Sequence, residues 1–192
     1  MRPLLLASTS VYRRTLLTRL ALPFEVLAPE VTEDELAREP PPARALRLAI
    51  AKAQAVARAH PQAIVLGSDQ VAAIGEQILH KPYDAAGSRA QLAAASAKRA
   101  IFYTACAVIG VQAGISLSHI DETTVAFRTL GAEEIERYIE RDRPFNCAGG
   151  FKAESLGIAL FDRIDSSDPT ALIGLPLIWV ASALRRCGYK VP

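Results

Sequence analysis

The sequence predicts an α/β fold built on a mixed sheet, and two observations support that prediction. Short apolar runs of strand length alternate with helical patterns along the 192 residues, which is typical of strands joined by crossover helices. Residues 99–112 and 115–130, in contrast, read as two long strands around a turn at Gln112–Gly114, which indicates an antiparallel hairpin. Because both patterns occur in one chain, we predict a mixed sheet rather than a purely parallel one.

The first elements follow from their apolar patterns. Residues 3–8 (PLLLAS) predict a buried strand, and residues 11–20 predict a helix with its leucines on one face. Residues 24–31 read as a second strand. Residues 29–42 are acidic and rich in proline, which predicts a loop, and the alanine-rich residues 42–60 predict a strong helix.

The later elements are predicted from apolar runs, capping residues and turn residues. In order they are a buried strand at 63–68 that ends at Asp69, a hairpin at 70–82 around Gly75-Glu76, a helix from Asp84 to Ala95, the two long strands above, a helix at 131–142, a strand at 157–165, and a final helix that opens at Pro176 and ends near Gly188. No linker separates two domains, so we expect one domain or two closely packed lobes.

Composition excludes several classes of protein. The formal net charge is only +2, which does not suggest a surface that coats nucleic acid, and 51% of the residues are hydrophobic, as in an ordinary soluble globular protein. No apolar segment is long enough to span a bilayer. Cys106, Cys147 and Cys187 fit neither a disulfide framework nor a CxxC metal site, so a reducing cytoplasm is the simplest setting.

Hydroxyl side chains and arginines meet where the first strand gives way to the first helix. The stretch LASTSVYRRTLL places Ser8, Thr9 and Ser10 just before the helix and Arg13 and Arg14 in its first turn. Amides at a helix N-terminus lack intrahelical partners and favour an anion, and guanidinium groups suit phosphate oxygens. The alternative is that Ser10 only caps the helix while the arginines are solvated. The chain contains no P-loop or GxGxxG pattern.

Charged residues in or near apolar segments are further candidates. Asp69 follows the buried strand at 63–68, where α/β proteins often bind ligands, and could be a base, a metal ligand or a turn residue. Lys52 lies in the alanine-rich helix and Lys81 ends the predicted hairpin. Glu33 lies in the acidic loop and by itself reads as a solvated charge. Covalent catalysis has little support, because no GxSxG elbow occurs and no cysteine has a basic cluster nearby.

Taken together, these stretches resemble the Maf-type nucleoside triphosphate pyrophosphatases, almost from end to end. The motifs that match, in order, are LASTSVYRRTLL, PEVTEDE, AIAKAQAVA, VLGSDQV, HKP, FYTACAV and CAGGFKAESLGIALFDRIDSSDPTALIGLPL. SDQV and FKAES are most similar to the 7-methyl-GTP pyrophosphatase branch. One departure is Val11, where the family usually has proline. Proline at a first helical position is helpful but replaceable, so this change concerns local rigidity more than activity.

The resemblance implies a single domain over residues 1–192, with an elongated mixed sheet, flanking helices and two lobes around a cleft. It also implies a divalent metal cation, Mg²⁺ or Mn²⁺, and a homodimer. The cysteines predict the cytoplasm, and the near-neutral charge and short apolar segments predict no nucleic acid or membrane as partner. The implied reaction is hydrolysis of a nucleoside triphosphate between the α- and β-phosphates. The residues it assigns are Asp69 as general base, Glu33 and Asp69 near the metal, and Ser8, Arg13, Arg14, Lys52 and Lys81 around the triphosphate.

The resemblance implies that the substrate is selected at three positions of the family, which in this sequence are Tyr12, Gln70 and Glu154. The 7-methylguanine ring is cationic, so Tyr12 could stack on it with a gain of roughly 0.5–2 kcal/mol. Glu154 could accept from two guanine N–H groups, whereas thymine or uracil offers only one there. In the alternative, Tyr12 packs against its helix and Glu154 pairs with Lys152 or an arginine.

Two other functions remain open at this point. The first is a pyrophosphatase for other nucleotides, such as dTTP, UTP or other modified bases, which the pair of Gln70 and Glu154 disfavours. The second is a division regulator that senses a nucleotide without hydrolysing it. The presence of Asp69 argues against a sensor, because a protein that only binds has no need of a base.

Overall fold

The computed structural model describes residues 2–192, and within them seven strands form one mixed sheet. The strands are β1 (Leu4–Ala7), β2 (Glu25–Leu27), β3 (Ile64–Ile74), β4 (Gln77–Leu79), β5 (Arg99–Gly110), β6 (Ile115–Phe127) and β7 (Phe161–Asp165). Their order is β2-β1-β3-β5-β6-β7, and β4 pairs with β3. Strands β2, β1 and β3 run parallel, whereas β3 with β4 and β6 with β7 run antiparallel. The predicted α/β class with a mixed sheet is therefore confirmed.

Five α-helices are present in the same residues. They are α1 (Val11–Thr18), α2 (Pro41–Ala59), α3 (Ala85–Ala95), α4 (Ala132–Asp142) and α5 (Leu177–Arg186). The Asp84 side chain accepts from the amide of Gly87 to begin α3, and Pro176 directly precedes α5. Short 3₁₀ turns cover Ala148–Gly150, Leu156–Leu160 and Ala171–Ile173. No helix within residues 2–192 is long and apolar enough to cross a membrane.

The parallel part of the sheet is covered on both faces. Leu4 and Leu6 of β1 belong to a buried cluster with α1 and α5, and Leu5 and Ala7 belong to a second cluster with α2. This alternation explains why β1 reads as an unbroken apolar run, since strands of a parallel sheet bury both faces. The same period along β3 directs even-numbered residues toward α1 and α5 and odd-numbered residues toward α2.

The predicted hairpin around Gly75 is confirmed. Ile74 of β3 faces Gln77 of β4, and Gly75 has a φ of +59°, which a glycine adopts readily. The long hairpin of β5 and β6 is also present, with its turn at residues 111–114.

Three predicted boundaries are wrong. β3 does not end at Asp69 but continues to Ile74, because the apolar residues after Asp69 pair with β4. β2 covers only Glu25–Leu27, and the chain leaves the sheet before Pro29, which has no amide hydrogen to donate. β7 begins at Phe161, because residues 156–160 form a 3₁₀ turn. A Cβ atom on Gly157 would lie 2.4 Å from the Lys152 carbonyl oxygen, which shows how tightly this turn folds back.

The chain forms two compact units. The first contains the residues up to Gln70, Thr104–Asp121 and Asp168–Pro192, and it holds the parallel strands with α1, α2 and α5. The second contains Val71–Tyr103 and Glu122–Ser167. Its interior includes edge-to-face aromatic contacts among Phe102, Phe127, Phe151 and Phe161.

Candidate active site

Three predicted site residues of the first unit meet at one point. Lys52 Nζ lies 2.6 Å from Asp69 Oδ1 and 2.6 Å from Glu33 Oε1. The side chains of Lys52 and Asp69 are only 9% and 10% exposed, whereas that of Glu33 is 56% exposed. Burying charged groups costs desolvation free energy, so a nearly buried ammonium held between two carboxylates makes this point a candidate functional site.

The close approach of α2 to β3 brings Lys52 to Asp69. A Cβ atom on Gly67 would lie 2.5 Å from the carbonyl oxygen of Ala49 and 2.7 Å from the amide nitrogen of Ala53. Only glycine allows these two backbones to approach so closely. Lys52 lies between Ala49 and Ala53 on the buried stripe of α2, and Asp69 points toward α2 because it follows Gly67 by two residues.

Asp69 lies just beyond the parallel part of the sheet, although it is inside a long strand. The pairing of β1 with β3 ends at Ala7 opposite Gly67, and the pairing of β3 with β4 begins at Ala72. Residues 68–71 of β3 therefore lie between the two pairings. Asp69 was expected at the end of a strand and lies inside one, but it is two residues beyond the end of the parallel pairing with β1.

Glu33 is carried by a loop that arginines of α2 tether. Arg44 forms an ion pair with Glu35 at 2.7 Å, and the Nη2 of Arg47 donates to the carbonyl oxygen of Asp34 at 3.0 Å. Arg47 also binds the Glu39 carboxylate, and this hydrogen bond lowers the pKa of Glu39. The sequence analysis missed both arginines. The available signal was an acidic loop followed by two arginines three positions apart at the start of a helix.

The hydroxyl residues before α1 are engaged with the backbone. Ser10 is the N-cap of α1, and its hydroxyl accepts from the Arg13 amide at 3.4 Å. The Ser8 hydroxyl accepts from the Ser10 amide at 3.1 Å, and Ser8 is 3% exposed. Ser8 therefore shapes the entry to the helix. Its position directly after β1 is next to the stretch of β3 that carries Asp69.

Arg13 and Arg14 have different surroundings. Arg13 Nε donates to the Gly174 carbonyl oxygen at 3.1 Å, which fixes its guanidinium against residues 171–174. Its terminal nitrogens are the remaining donors of the guanidinium. Arg14 is exposed, and with Thr18 it lines an open hollow of about 410 Å³ whose other walls are apolar. The two arginines thus lie on different sides of α1.

Gln70, which the family resemblance assigns to substrate choice, is bound within the protein. Its Nε2 lies 2.9 Å from Thr104 Oγ1, 3.2 Å from the Ala171 carbonyl oxygen and 3.0 Å from the Leu172 carbonyl oxygen. The neighbouring Ser68 hydroxyl donates to the Gly174 carbonyl oxygen at 2.9 Å. Two β3 residues of the same face therefore hold the turn that contacts Arg13.

Asp168 is a buried carboxylate that the sequence analysis did not select. It is 3% exposed, and its oxygens accept from the amides of Thr170 at 2.8 Å and Ile178 at 2.6 Å. The Thr170 hydroxyl in turn accepts from the Leu177 amide at 2.9 Å. Asp168 and Thr170 thus cap the start of α5 and fix the ends of the segment that contains Gly174. The signal in the sequence was Asp-Pro-Thr shortly before a Gly-Leu-Pro helix start.

The remaining predicted residues are Tyr12 in the first unit and Lys81 and Glu154 in the second. Tyr12 is half-buried in α1. Lys81 and Glu154 belong to the second unit and are exposed, Lys81 just after β4 and Glu154 in a turn. The suggested pair of Lys152 with Glu154 is not formed, because Lys152 Nζ donates to the Asp142 carbonyl oxygen. Among the predicted site residues of the first unit, the fold brings Lys52 into contact with Asp69 and Glu33.

The buried thiol of Cys106 is not suited to act as a nucleophile. Burial raises the pKa of the Cys106 thiol to about 12, so Cys106 is a neutral core residue rather than a nucleophile.

Within residues 2–192, no group of three or more His, Cys, Asp or Glu side chains is arranged to hold a metal ion. Glu33 and Asp69 nevertheless supply two carboxylates that face the same point.

Comparisons with known proteins agree with the motifs. The profile of a family described as Maf-like protein matches residues 3–187. A protein of Albidiferax ferrireducens named 7-methyl-GTP pyrophosphatase is 49% identical over 190 residues, which cover 99% of this chain and 96% of that protein. Proteins of the same name from Aromatoleum aromaticum and Xanthomonas campestris pv. campestris are 48% and 51% identical over 189 residues, covering 98% of this chain and 97% and 98% of theirs.

Among solved structures, the Ham1 protein of Staphylococcus aureus matches with a TM-score of 0.45 and 15% identity over 66% of this chain and 71% of that one. This likeness is too low to bear on function. The family profile, by contrast, spans almost the whole sequence, and the full-length relatives share about half of its residues. The chain therefore belongs to the Maf-like protein family.

Proposed function

We propose that this protein is a nucleoside triphosphate pyrophosphatase that hydrolyses 7-methyl-GTP to 7-methyl-GMP and pyrophosphate. Full-length relatives at 48–51% identity carry the name 7-methyl-GTP pyrophosphatase. The structural observation that most supports an enzyme is the nearly buried Lys52 ammonium between Asp69 and Glu33. Phosphoryl transfer from a nucleotide uses a carboxylate as a base or metal ligand and cations against the charge of the phosphates, and this site offers groups of both kinds.

Asp69 is proposed as the general base. As the water oxygen attacks the α-phosphorus, the carboxylate accepts the proton of that water. The bond between the α-phosphorus and the bridging oxygen breaks, and pyrophosphate leaves with the electron pair. Lys52 donates to Asp69 Oδ1 at 2.6 Å, which fixes the orientation of the carboxylate and leaves Oδ2 as the oxygen available to the water.

Cationic side chains are proposed to bind the triphosphate. Arg13 presents its terminal nitrogens while Nε is held by Gly174, so the guanidinium plane is fixed before the substrate arrives. The proposed remaining ligands are Ser8, Arg14, Lys52 and Lys81. Neutralising the negative charge that develops on the departing pyrophosphate accelerates the reaction, because the donors are already oriented.

Glu33 and Asp69 are the residues proposed to hold a divalent cation, Mg²⁺ or Mn²⁺. Two carboxylates suit these cations, because Mg²⁺ is commonly bound through one or two carboxylates together with substrate phosphates. Such a cation would stabilise negative charge on the phosphate oxygens. Lys52 contacts both carboxylates, and its positive charge would offset the repulsion between them when no substrate is bound.

Recognition of the base is proposed to fall to Tyr12 and Glu154. The cationic 7-methylguanine ring favours the face of a tyrosine, and the edge of guanine offers two N–H donors to a carboxylate. Gln70 is the third residue proposed for the base: its amide nitrogen is bound to Thr104 and to residues 171 and 172, which leaves Oε1 as the atom that could accept from a guanine N–H.

We also propose that the protein acts in the cytoplasm as a homodimer. No disulfide joins Cys106, Cys147 or Cys187, which fits a reducing compartment. The homodimer rests on the family resemblance. Light scattering on the purified protein would measure its mass, and a value near 20.6 kDa, the mass of one chain, would contradict the dimer.

A nucleotide panel tests the proposed reaction. 7-methyl-GTP, GTP, dTTP and UTP are incubated with the enzyme and Mg²⁺ or Mn²⁺, and pyrophosphate and nucleoside monophosphate are measured together. We expect the two products in equal amounts, the highest kcat/KM for 7-methyl-GTP, and no turnover in EDTA. A preference for dTTP or UTP would favour the pyrophosphatase of other nucleotides. Tight binding without any turnover would favour a nucleotide sensor.

A further inference from the structure

We propose that Gln70 is a positioning residue, which fixes residues 171–174 and through them the guanidinium of Arg13. Its kinetic consequence rests on the proposed pyrophosphatase function, but the contacts themselves do not. Gln70 would then act on every nucleotide through Arg13, separately from any contact of its Oε1 with the base.

The hydrogen-bonding capacity of the Gln70 amide nitrogen is used within the protein. Nε2 carries two hydrogens, and three acceptors lie within 3.2 Å of it: Thr104 Oγ1 and the carbonyl oxygens of Ala171 and Leu172. Thr104 is fully buried, and its own hydroxyl donates to the Ala171 carbonyl at 2.9 Å. A nucleobase could accept from this nitrogen only if one of these bonds were broken.

The turn that Gln70 holds leads directly to the acceptor of Arg13. Gly174 closes the 3₁₀ turn Ala171–Ile173 with a φ of +123°, and its amide donates to the Ala171 carbonyl at 2.8 Å. The Gly174 carbonyl oxygen accepts from Ser68 Oγ at 2.9 Å and from Arg13 Nε at 3.1 Å. Moving the turn would therefore move the atom that orients Arg13.

Both ends of this segment are also fixed, so the turn is a rigid support. Asp168 accepts from the amides of Thr170 and Ile178, as described above. An arginine side chain has many rotamers, and ordering it costs conformational entropy. Because Gly174 already holds the Arg13 side chain in the folded protein, this entropy is lost during folding and not when a triphosphate binds.

The proposed base and the positioning residues share one stretch of β3. Ser68 and Gln70 bind residues 171–174 on one side of β3, and Asp69 between them binds Lys52 of α2 on the other. One short stretch of β3 therefore connects the orientation of the Asp69 carboxylate with that of the Arg13 guanidinium.

A double-mutant cycle tests the proposal. We expect Gln70→Ala to lower kcat/KM about tenfold for 7-methyl-GTP and for dTTP, because hydrogen bonds that support Arg13 are lost. In an Arg13→Ala background the same change should cost less than about twofold, because the residue being positioned is gone. Gln62→Ala, at an exposed glutamine before β3, is the matched control and should change neither kcat/KM value.

Two outcomes would overturn the proposal. An equal cost with and without Arg13 would mean that Gln70 does not act through Arg13, and so would an Arg13 Nε–H whose exchange with solvent Gln70→Ala leaves unchanged. If Gln70→Ala does not fold, Ser68→Ala tests the same link, because Ser68 binds the same Gly174 carbonyl. It should show the same coupling to Arg13.

A measurement on the protein without substrate separates this proposal from the proposed function. The Nε–H of Arg13, identified by its loss in Arg13→Lys, should exchange slowly with solvent in NMR spectra because it donates to Gly174. Gln70→Ala should increase its exchange rate at least about fivefold. An unchanged rate would refute the positioning role whether or not the wild-type protein hydrolyses nucleotides. Absent pyrophosphate release with a faster exchange would refute the function alone.

Discussion

Lys52 Nζ of α2 lies 2.6 Å from Asp69 Oδ1 of β3, and both side chains are nearly buried. Glu33 approaches the same nitrogen from an acidic loop. A buried charge is tolerated when its partner is present and becomes costly when the partner is removed. The stability and the proposed chemistry of the protein are therefore linked at this ammonium.

Removing the ammonium should destabilise the protein. Lys52→Met keeps the length of the side chain but leaves the Asp69 carboxylate without its partner. We expect the free energy of unfolding, measured in urea, to fall by about 3 kcal/mol. Lys98→Met, at an exposed lysine, should change it by less than about 0.5 kcal/mol.

The double variant Lys52→Met with Asp69→Asn should be more stable than Lys52→Met alone, because no buried charge remains. If the second substitution only added to the loss, the ion pair would not be the source of the effect.

The second prediction concerns Asp69 as a base. Asp69→Asn preserves the shape of the side chain but cannot accept a proton from water. Turnover of 7-methyl-GTP should fall at least about a hundredfold while the nucleotide still binds. Asp162→Asn, at an exposed carboxylate of β7, is the control and should retain wild-type turnover. Near wild-type turnover in Asp69→Asn would exclude a general base at this position.

The third prediction separates a site from general surface charge. Arg13→Ala removes a guanidinium that Gly174 holds in place, so KM for the triphosphate should rise and kcat should fall. Arg19→Ala removes the same charge from an exposed position at the end of α1 and should do little. Equal effects would show that only the net charge of this surface matters.

The fourth prediction concerns the base. In Glu154→Gln, an amide N–H replaces one carboxylate oxygen and faces a guanine N–H. Activity toward 7-methyl-GTP should therefore fall at least roughly tenfold, equivalent to about 1.4 kcal/mol, while activity toward dTTP or UTP should hold or rise. Glu140→Gln, an exposed glutamate of α4, is the control.

Tyr12→Leu should cost 7-methyl-GTP more than unmethylated GTP, because only the methylated ring is cationic. The ratio of catalytic efficiencies is the quantity to measure, since misfolding would lower both. A ratio that Glu154→Gln leaves unchanged would make Glu154 a structural residue.

The fifth prediction concerns the contact between α2 and β3. In Gly67→Ala, the new methyl group would meet backbone atoms of Ala49 and Ala53 within 2.7 Å, so α2 must move. We expect a loss of stability of about 1–3 kcal/mol and a fall in turnover, because Lys52 moves away from Asp69. Gly131→Ala, where a Cβ atom would meet nothing within 4 Å, should leave turnover unchanged. Wild-type turnover in Gly67→Ala would mean that the close approach is not needed for the site.

The sequence alone determined the class of the fold and most of its elements. Apolar period and capping residues are local signals, so the hairpin at Gly75 and the helix that begins after Asp84 could be read directly. Lys52 could be selected because an ammonium interrupts the apolar stripe of a helix. The motifs also placed the chain in its family, as the match over residues 3–187 bears out.

Tertiary structure decided which of these side chains meet. The extent of β3 beyond Asp69 depends on pairing with β4, and the partner of Lys52 depends on how closely Gly67 lets α2 approach. The contacts of Gln70 were invisible in the sequence, because two of its acceptors lie about a hundred residues further along the chain. Local propensity acts over a few neighbouring residues, whereas the contact between a side chain and a distant backbone carbonyl exists only once the chain has packed.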